Sequence, residues 1–128
     1  MKHIIGNLKL RLLLFITLKL IRSSQRRSEK VSELLRSGNF IFQVRTTQGA
    51  GGYFDVRDGA INLHYGLHDQ PDFSQSWNDG NDALRVLTSA DETDLLRAFE
   101  DRLYRMQGQF KYALWFNEVM KLARAKVN

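Results

Sequence analysis

Apolar residues recur along this chain with two periods, and the change from one to the other divides it. From Leu8 to Ile21 the sequence LKLRLLLFITLKLI is dense in apolar residues and broken by charge at helical spacing, which predicts a continuous helix. On its wheel Arg11, Lys19, Arg22 and Arg26 share roughly one quadrant, with Leu10, Leu13, Leu20 and Ile21 opposite. Ser23 and Ser24 interrupt the apolar run. A second helical piece follows over 28–36, with Ser28 as its cap and Val31, Leu34 and Leu35 on one side; Ser37-Gly38-Asn39 ends it.

At Phe40 the period becomes two. Phe40, Phe42 and Val44 alternate with Ile41, Gln43 and Arg45, and a glycine-rich loop leads to a second strand. Asp58-Gly59 predicts a two-residue type I′ hairpin turn, because both central residues of that turn need positive φ. Phe54 and Val56 before the turn, and Ile61, Leu63 and Tyr65 after it, form one apolar face; Tyr53, Asp55, Arg57, Asn62 and His64 form a wet one. Phe73, Gln75 and Trp77 alternate with Ser74 and Ser76, continuing a run of four antiparallel strands. A short helix capped by Asn81 or Asp82 carries Leu84, Val86 and Leu87. Ser89 to Glu92 reads as a capping box for another helix, with Leu95, Leu96 and Phe99 inward. A fifth strand over 103–107 presents Tyr104 and Met106, and a last helix runs over 110–125. The order predicts an α+β fold, a five-stranded mainly antiparallel sheet with helices on one face.

Charge sharpens this division. Residues 1–36 hold nine Lys/Arg against Glu29 and Glu33, whereas the other 92 residues hold ten against twelve Asp/Glu, so the net +5 comes wholly from the N-terminal segment. Residues 1–27 are therefore set apart as a basic amphipathic extension and 28–128 as the folded body. A nucleic-acid domain spreads basic residues over a folded face, so nucleic acid is not expected as a partner. The leucine-rich helix is too short and too charged to span a bilayer, which takes about 20 apolar residues, and lacks a small-residue cleavage site. It suits an interface, with Lys9, Arg11, Lys19 and Arg22 reaching anionic headgroups. The other cover for its apolar side is protein: its own domain, a second copy of the chain, or a partner held through residues 1–36.

Candidate chemistry is sparse. The chain has no cysteine, which excludes disulfides and thiolate metal sites and fits a cytoplasmic address, peripheral at the inner membrane face if the helix docks there. The loop Thr47 to Gly52 lacks the lysine and Ser/Thr of a phosphate-binding loop, and a strand follows it rather than a helix. His64, His68, Asp69 and Asp72 are close in sequence, but His64 lies on the wet side of a strand. No catalytic residue, metal ligand or cofactor is assigned. What stands out is the aromatic content of the inner faces, which allows either a filled core or an apolar cavity, with Gln75 as an inward polar group.

Three stretches carry a resemblance: VRDGAINLHYG, PDFSQSWND and LLRAFEDRLYRMQGQF, in this order and at this spacing. Together they resemble the sterol carrier protein type 2 (SCP2) family of lipid-binding domains, over about two thirds of the chain. The departures are Arg102 where the family has glycine, Gln109 where it has asparagine, and Gln75 where it has an apolar residue. The resemblance implies a non-catalytic carrier that holds a lipid, such as a fatty acid or sterol-like molecule, in an apolar tunnel between sheet and helices. Carried onto this chain, the lining is Phe54, Val56, Ile61, Leu63, Gln75, Trp77, Phe99, Tyr104, Met106, Leu114, Trp115 and Val119. The competing reading is a structural or enzyme-accessory module with a filled core that binds a protein through its N-terminal helices.

Overall fold

The computed structural model describes residues 2–89, 91 and 93–124; Glu92 of the expected capping box and Ala125 lie outside them. The elements are α1 (Lys2–Arg27), α2 (Glu29–Ser37), β1 (Phe40–Thr46), β2 (Gly51–Arg57), β3 (Ala60–Tyr65), β4 (Phe73–Trp77), α3 (Gly80–Leu87), α4 (Thr93–Glu100), β5 (Tyr104–Gly108) and α5 (Lys111–Arg124). The strands form one sheet in the order β3-β2-β1-β4-β5. Asp58 and Gly59 sit at φ 54° and 76°, as the tight turn between β2 and β3 requires.

One pairing departs from the sequence pattern. β4 lies beside β1 and runs parallel to it, Phe42 opposite Phe73 and Thr46 opposite Trp77; the other three pairings are antiparallel. Residues 66–72 therefore leave the edge strand β3 and cross the wet face of β2 and β1 before β4 begins. Side-chain and backbone bonds fasten that crossing. The His68 N–H donates to Gln43 Oε1 at 2.7 Å, the Ile41 N–H to Asp72 Oδ2 at 2.7 Å, and the Asp72 N–H to the Ile41 carbonyl at 3.0 Å. Alternation within a strand shows which side chains share a face and nothing about which strand comes alongside.

The helices cover the other face. Tyr112 stacks on Phe40 at 4.3 Å and Phe116 on Phe42 at 4.4 Å, and the Trp115 indole N–H donates to the Leu34 carbonyl at 3.0 Å, tying α5 to α2. α2 is capped as expected, the Val31 N–H donating to Ser28 Oγ at 3.3 Å. α3 is capped not by Asn81 or Asp82 but two residues before the first of them, by Asp79, which accepts from the Asn81 N–H at 2.9 Å. At the start of α4 Asp91 accepts from both the hydroxyl and the N–H of Thr93. Those bonds, the hydroxyl first, hold its carboxyl below the ordinary carboxylate range.

α1 is one helix of 26 residues, passing straight through Ser23 and Ser24. The sequence sets it apart as an extension; in the structure it is a layer of the core. Leu10, Leu14, Leu18 and Ile21 are buried with Val31, Phe54 and Trp77 in one cluster. Gln25 Nε2 donates to the Gly59 carbonyl at 2.8 Å, pinning the far end of α1 to the hairpin turn. At the near end α1 meets α3 backbone to backbone: a Cβ placed on Gly80 would stand 2.3 Å from the Gly6 carbonyl oxygen.

Candidate ligand site

The inner face of the sheet is covered over β1, β2 and β4, whose inward Phe42, Phe54, Phe73 and Trp77 are all buried, and is more open toward its two ends, at Tyr65 of β3 and Met106 of β5. The expected lining residues divide accordingly. Phe54, Val56, Ile61, Trp77, Tyr104 and Val119 are buried in the common core. Leu63, Met106 and Trp115 are half-buried and pack against it. Trp77 and Tyr104 stack at 4.5 Å, and desolvation there raises the Tyr104 phenol above its ordinary pKa.

Two expected lining residues face solvent instead. Leu114 is 59% exposed. α5 turns Tyr112, Trp115, Phe116 and Val119 to the sheet, and at 3.6 residues per turn that places Leu114 on the opposite side. Phe99 is 45% exposed and Leu96 more so, because α4 is docked through Ala98, with Leu95 half-buried. The Phe99 ring lies 5.7 Å from that of Tyr104. Apolar periodicity found these helices but not the side they present.

Gln75 is the inward polar group of β4. It points inward from β4 opposite Met106 of the edge strand and is buried, its Oε1 accepting from the Trp77 indole N–H at 2.7 Å. With the carbonyl end used, what this side chain still offers an incoming polar group is its two amide N–H donors. Its neighbour on the edge strand, Met106, is half-buried.

Sequence reasoning missed a second apolar surface, on α1. The helix buries Leu10, Leu14, Leu18 and Ile21 and also presents Ile4, Ile5, Leu8, Leu12, Phe15 and Ile16 to solvent. Lys9 and Arg11 lie to either side of that stripe and Lys19 within it, all exposed. Arg22 does not join them. Its Nε and Nη2 donate to the Ile61 carbonyl at 3.2 and 3.0 Å and its Nη2 to Asn62 Oδ1 at 2.9 Å, so it clamps α1 to β3. The signal for the outer stripe was present: apolar residues all round a helix cannot all face one core. No helix among the described residues is long and apolar enough to cross a membrane.

No family model matches the chain, and no curated protein matches it. Solved structures do. A ubiquinone synthesis protein, UbiJ-SCP2, superposes with a TM-score of 0.65 at 12% identity, over 88% of this chain and 99% of that one. Domain 2 of the sterol carrier protein of Helicoverpa armigera gives 0.58 at 17% identity over 88% of each chain. A sterol carrier protein 2 crystal structure gives 0.56 at 16%, over 88% of this chain and 96% of that one. The chain has the SCP2 fold.

Proposed function

We propose that this protein is a non-catalytic lipid-binding module that seats an apolar chain on the inner face of β4 and β5, between α4 and α5. The observation that carries this reading is Gln75. A buried inward amide opposite half-buried Met106, on an otherwise apolar face, would give an apolar chain an anchor for its head. The SCP2 fold, shared with proteins described as sterol carriers, supports it. Each methylene buried there contributes about 0.8 kcal/mol, so a long-chain ligand outweighs the ordering it imposes.

Mass spectrometry of the native protein before and after organic extraction, with titration of a fluorescent fatty acid, tests the reading. Met106→Glu should abolish uptake with the circular dichroism spectrum unchanged. Leu114→Trp, on the outer side of α5, should leave uptake as it is. A protein that yields no lipid and never binds the fatty acid is not such a module.

Loading requires a membrane, and we propose that α1 docks on one through its outer stripe. Lys9, Arg11 and Lys19 together supply about 3 kcal/mol toward an anionic bilayer, at roughly 1 kcal/mol each, with apolar insertion added. That gives reversible association rather than anchoring. Vesicles containing phosphatidylserine should co-sediment the protein, less at high salt and less after Arg11→Glu with Lys19→Glu. Capture by neutral and anionic vesicles alike, or by neither, assigns the stripe to a second copy or a protein partner.

A further inference from the structure

The face of the sheet turned away from the helices carries a second, chemically different site. Two rows of side chains run across it from β1 to β5. Arg45, Ser76 and Arg105 stand opposite one another in the first row, and Gln43, Ser74 and Gln107 in the second. His68, Asp69 and Pro71 of the crossing segment complete the lining of an open cleft of about 340 Å³. That lies at the small end of the range for small-molecule sites. None of its lining residues is aliphatic apart from the ring of Pro71.

The internal bonds show which groups are structural and which remain available. Gln43 is buried and committed at both ends: its Oε1 accepts from the His68 N–H, and its Nε2 donates to Ser74 Oγ at 3.2 Å. Ser74 accepts that bond, so its own hydroxyl hydrogen is left to donate. His68 Nδ1 accepts from the Gln70 N–H at 3.0 Å, which puts the proton of the neutral ring on Nε2 and makes that nitrogen a donor. Arg45 gives its Nε to the Thr46 carbonyl at 3.2 Å and keeps its two terminal nitrogens. Neither Arg45 nor Arg105 enters an ion pair among the described residues. The cleft is thus lined by two guanidinium groups, two hydroxyls and an imidazole, with one carboxylate, Asp69.

We infer that this cleft binds the phosphate monoester group of a soluble small molecule. Strands two apart in a sheet are about 9.6 Å from each other, so Arg45 and Arg105 approach a group above Ser76 from opposite sides. A carboxylate is saturated by one such fork; a phosphate monoester has three terminal oxygens and close to two charges, and engages both forks and a hydroxyl. Because α1 lies on the opposite face, the cleft points away from a bilayer held by the outer stripe. A ligand from solution reaches it and a headgroup of that bilayer does not.

Titration of the full-length protein with inorganic phosphate and with glycerol phosphate, followed calorimetrically and by backbone amide shifts, tests the assignment. Saturable binding should move the amides of Ser76 and His68. Arg105→Gln at the exposed edge strand and Arg45→Gln on β1 should each weaken it about tenfold or more. Phosphatidylcholine vesicles containing phosphatidate should be captured equally by wild type and Arg105→Gln. If Arg105→Gln abolishes that capture and free phosphate does not bind, the ligand is a lipid headgroup and the assignment to a soluble molecule fails. Absence of saturable phosphate binding, or binding that survives both substitutions, overturns the site. Fatty-acid uptake, measured on the same variants, should not change; its loss in every protein tested would bear on the inner face alone.

Discussion

Removing residues 1–27 is the sharpest test of how the molecule is held together. In the structure that cut takes away Leu10, Leu13, Leu14, Leu18 and Ile21, all buried, and uncovers the side chains they touch on α3, α5 and the sheet. Each buried Leu or Ile is worth roughly 1.5–3 kcal/mol, so the loss is on the order of 10 kcal/mol. A domain's whole stability is about 5–15 kcal/mol. A chain beginning at Ser28 should therefore show no cooperative urea transition by circular dichroism and collapsed amide dispersion by NMR. Ile21→Ala in the full chain calibrates the argument: it should cost about 2–5 kcal/mol by itself. A truncated protein that unfolds cooperatively with a midpoint near that of the full chain would refute the reasoning, and α1 would then be an appendage lying on a complete core.

Three further outcomes follow from local geometry. Gly80→Ala should destabilise by about 1–3 kcal/mol in chemical denaturation, since the forced separation of α3 from Gly6 outweighs the helix propensity gained by alanine. Arg102 sits at φ 60°, where the resemblance puts a glycine; Arg102→Gly should be neutral or raise stability by up to about 1 kcal/mol, whereas Arg102→Val should lower it, both read as shifts in Tm. The phenol of Tyr104 is raised by burial, so its stabilising effect is complete below the ordinary value near 10 and fades as pH climbs through the folded-state value. Tyr104→Phe should accordingly flatten the alkaline limb of a stability-against-pH curve and leave its neutral part nearly level.

How much of this was legible in the sequence depends on the range of the interaction involved. Asp58-Gly59 announces its turn because the requirement sits in two adjacent residues, and the faces of β2 and β3 follow from it. The parallel pairing of β1 with β4 has no local signature; it depends on a connection that lies across the sheet. Arg22 reads on a helical wheel as one more basic residue of an exposed quadrant, and only the approach of β3 turns it into a clamp. The residues expected to line a site are, Gln75 apart, legible as apolar, but Phe99 and Leu114 point outward because the docking of α4 and α5 is set by neighbours far away in the chain. The outer cleft was the least legible part. Its serines, glutamines and arginines belong to three strands and resemble an ordinary wet face until the register places them in rows.

The crossing segment also governs the order in which the sheet can assemble. β1, β2 and β3 meet through short turns, so their pairing closes small loops early. Bringing Phe73 alongside Phe42 closes a loop of about thirty residues, which costs about 2 kcal/mol more chain entropy than a two-residue hairpin. The centre of the sheet is thus a seam, with a fast-forming three-stranded meander on one side and a later β4–β5 half on the other. Once the Gln43 and Ile41 bonds lock residues 66–72 over that seam, the halves cannot part without first lifting the segment. If those bonds break before the transition state, a ligand gripping both β1 and β5 would lengthen the lifetime of the native state as well as lower its free energy, and Gln43→Ala would speed unfolding more than it slows folding.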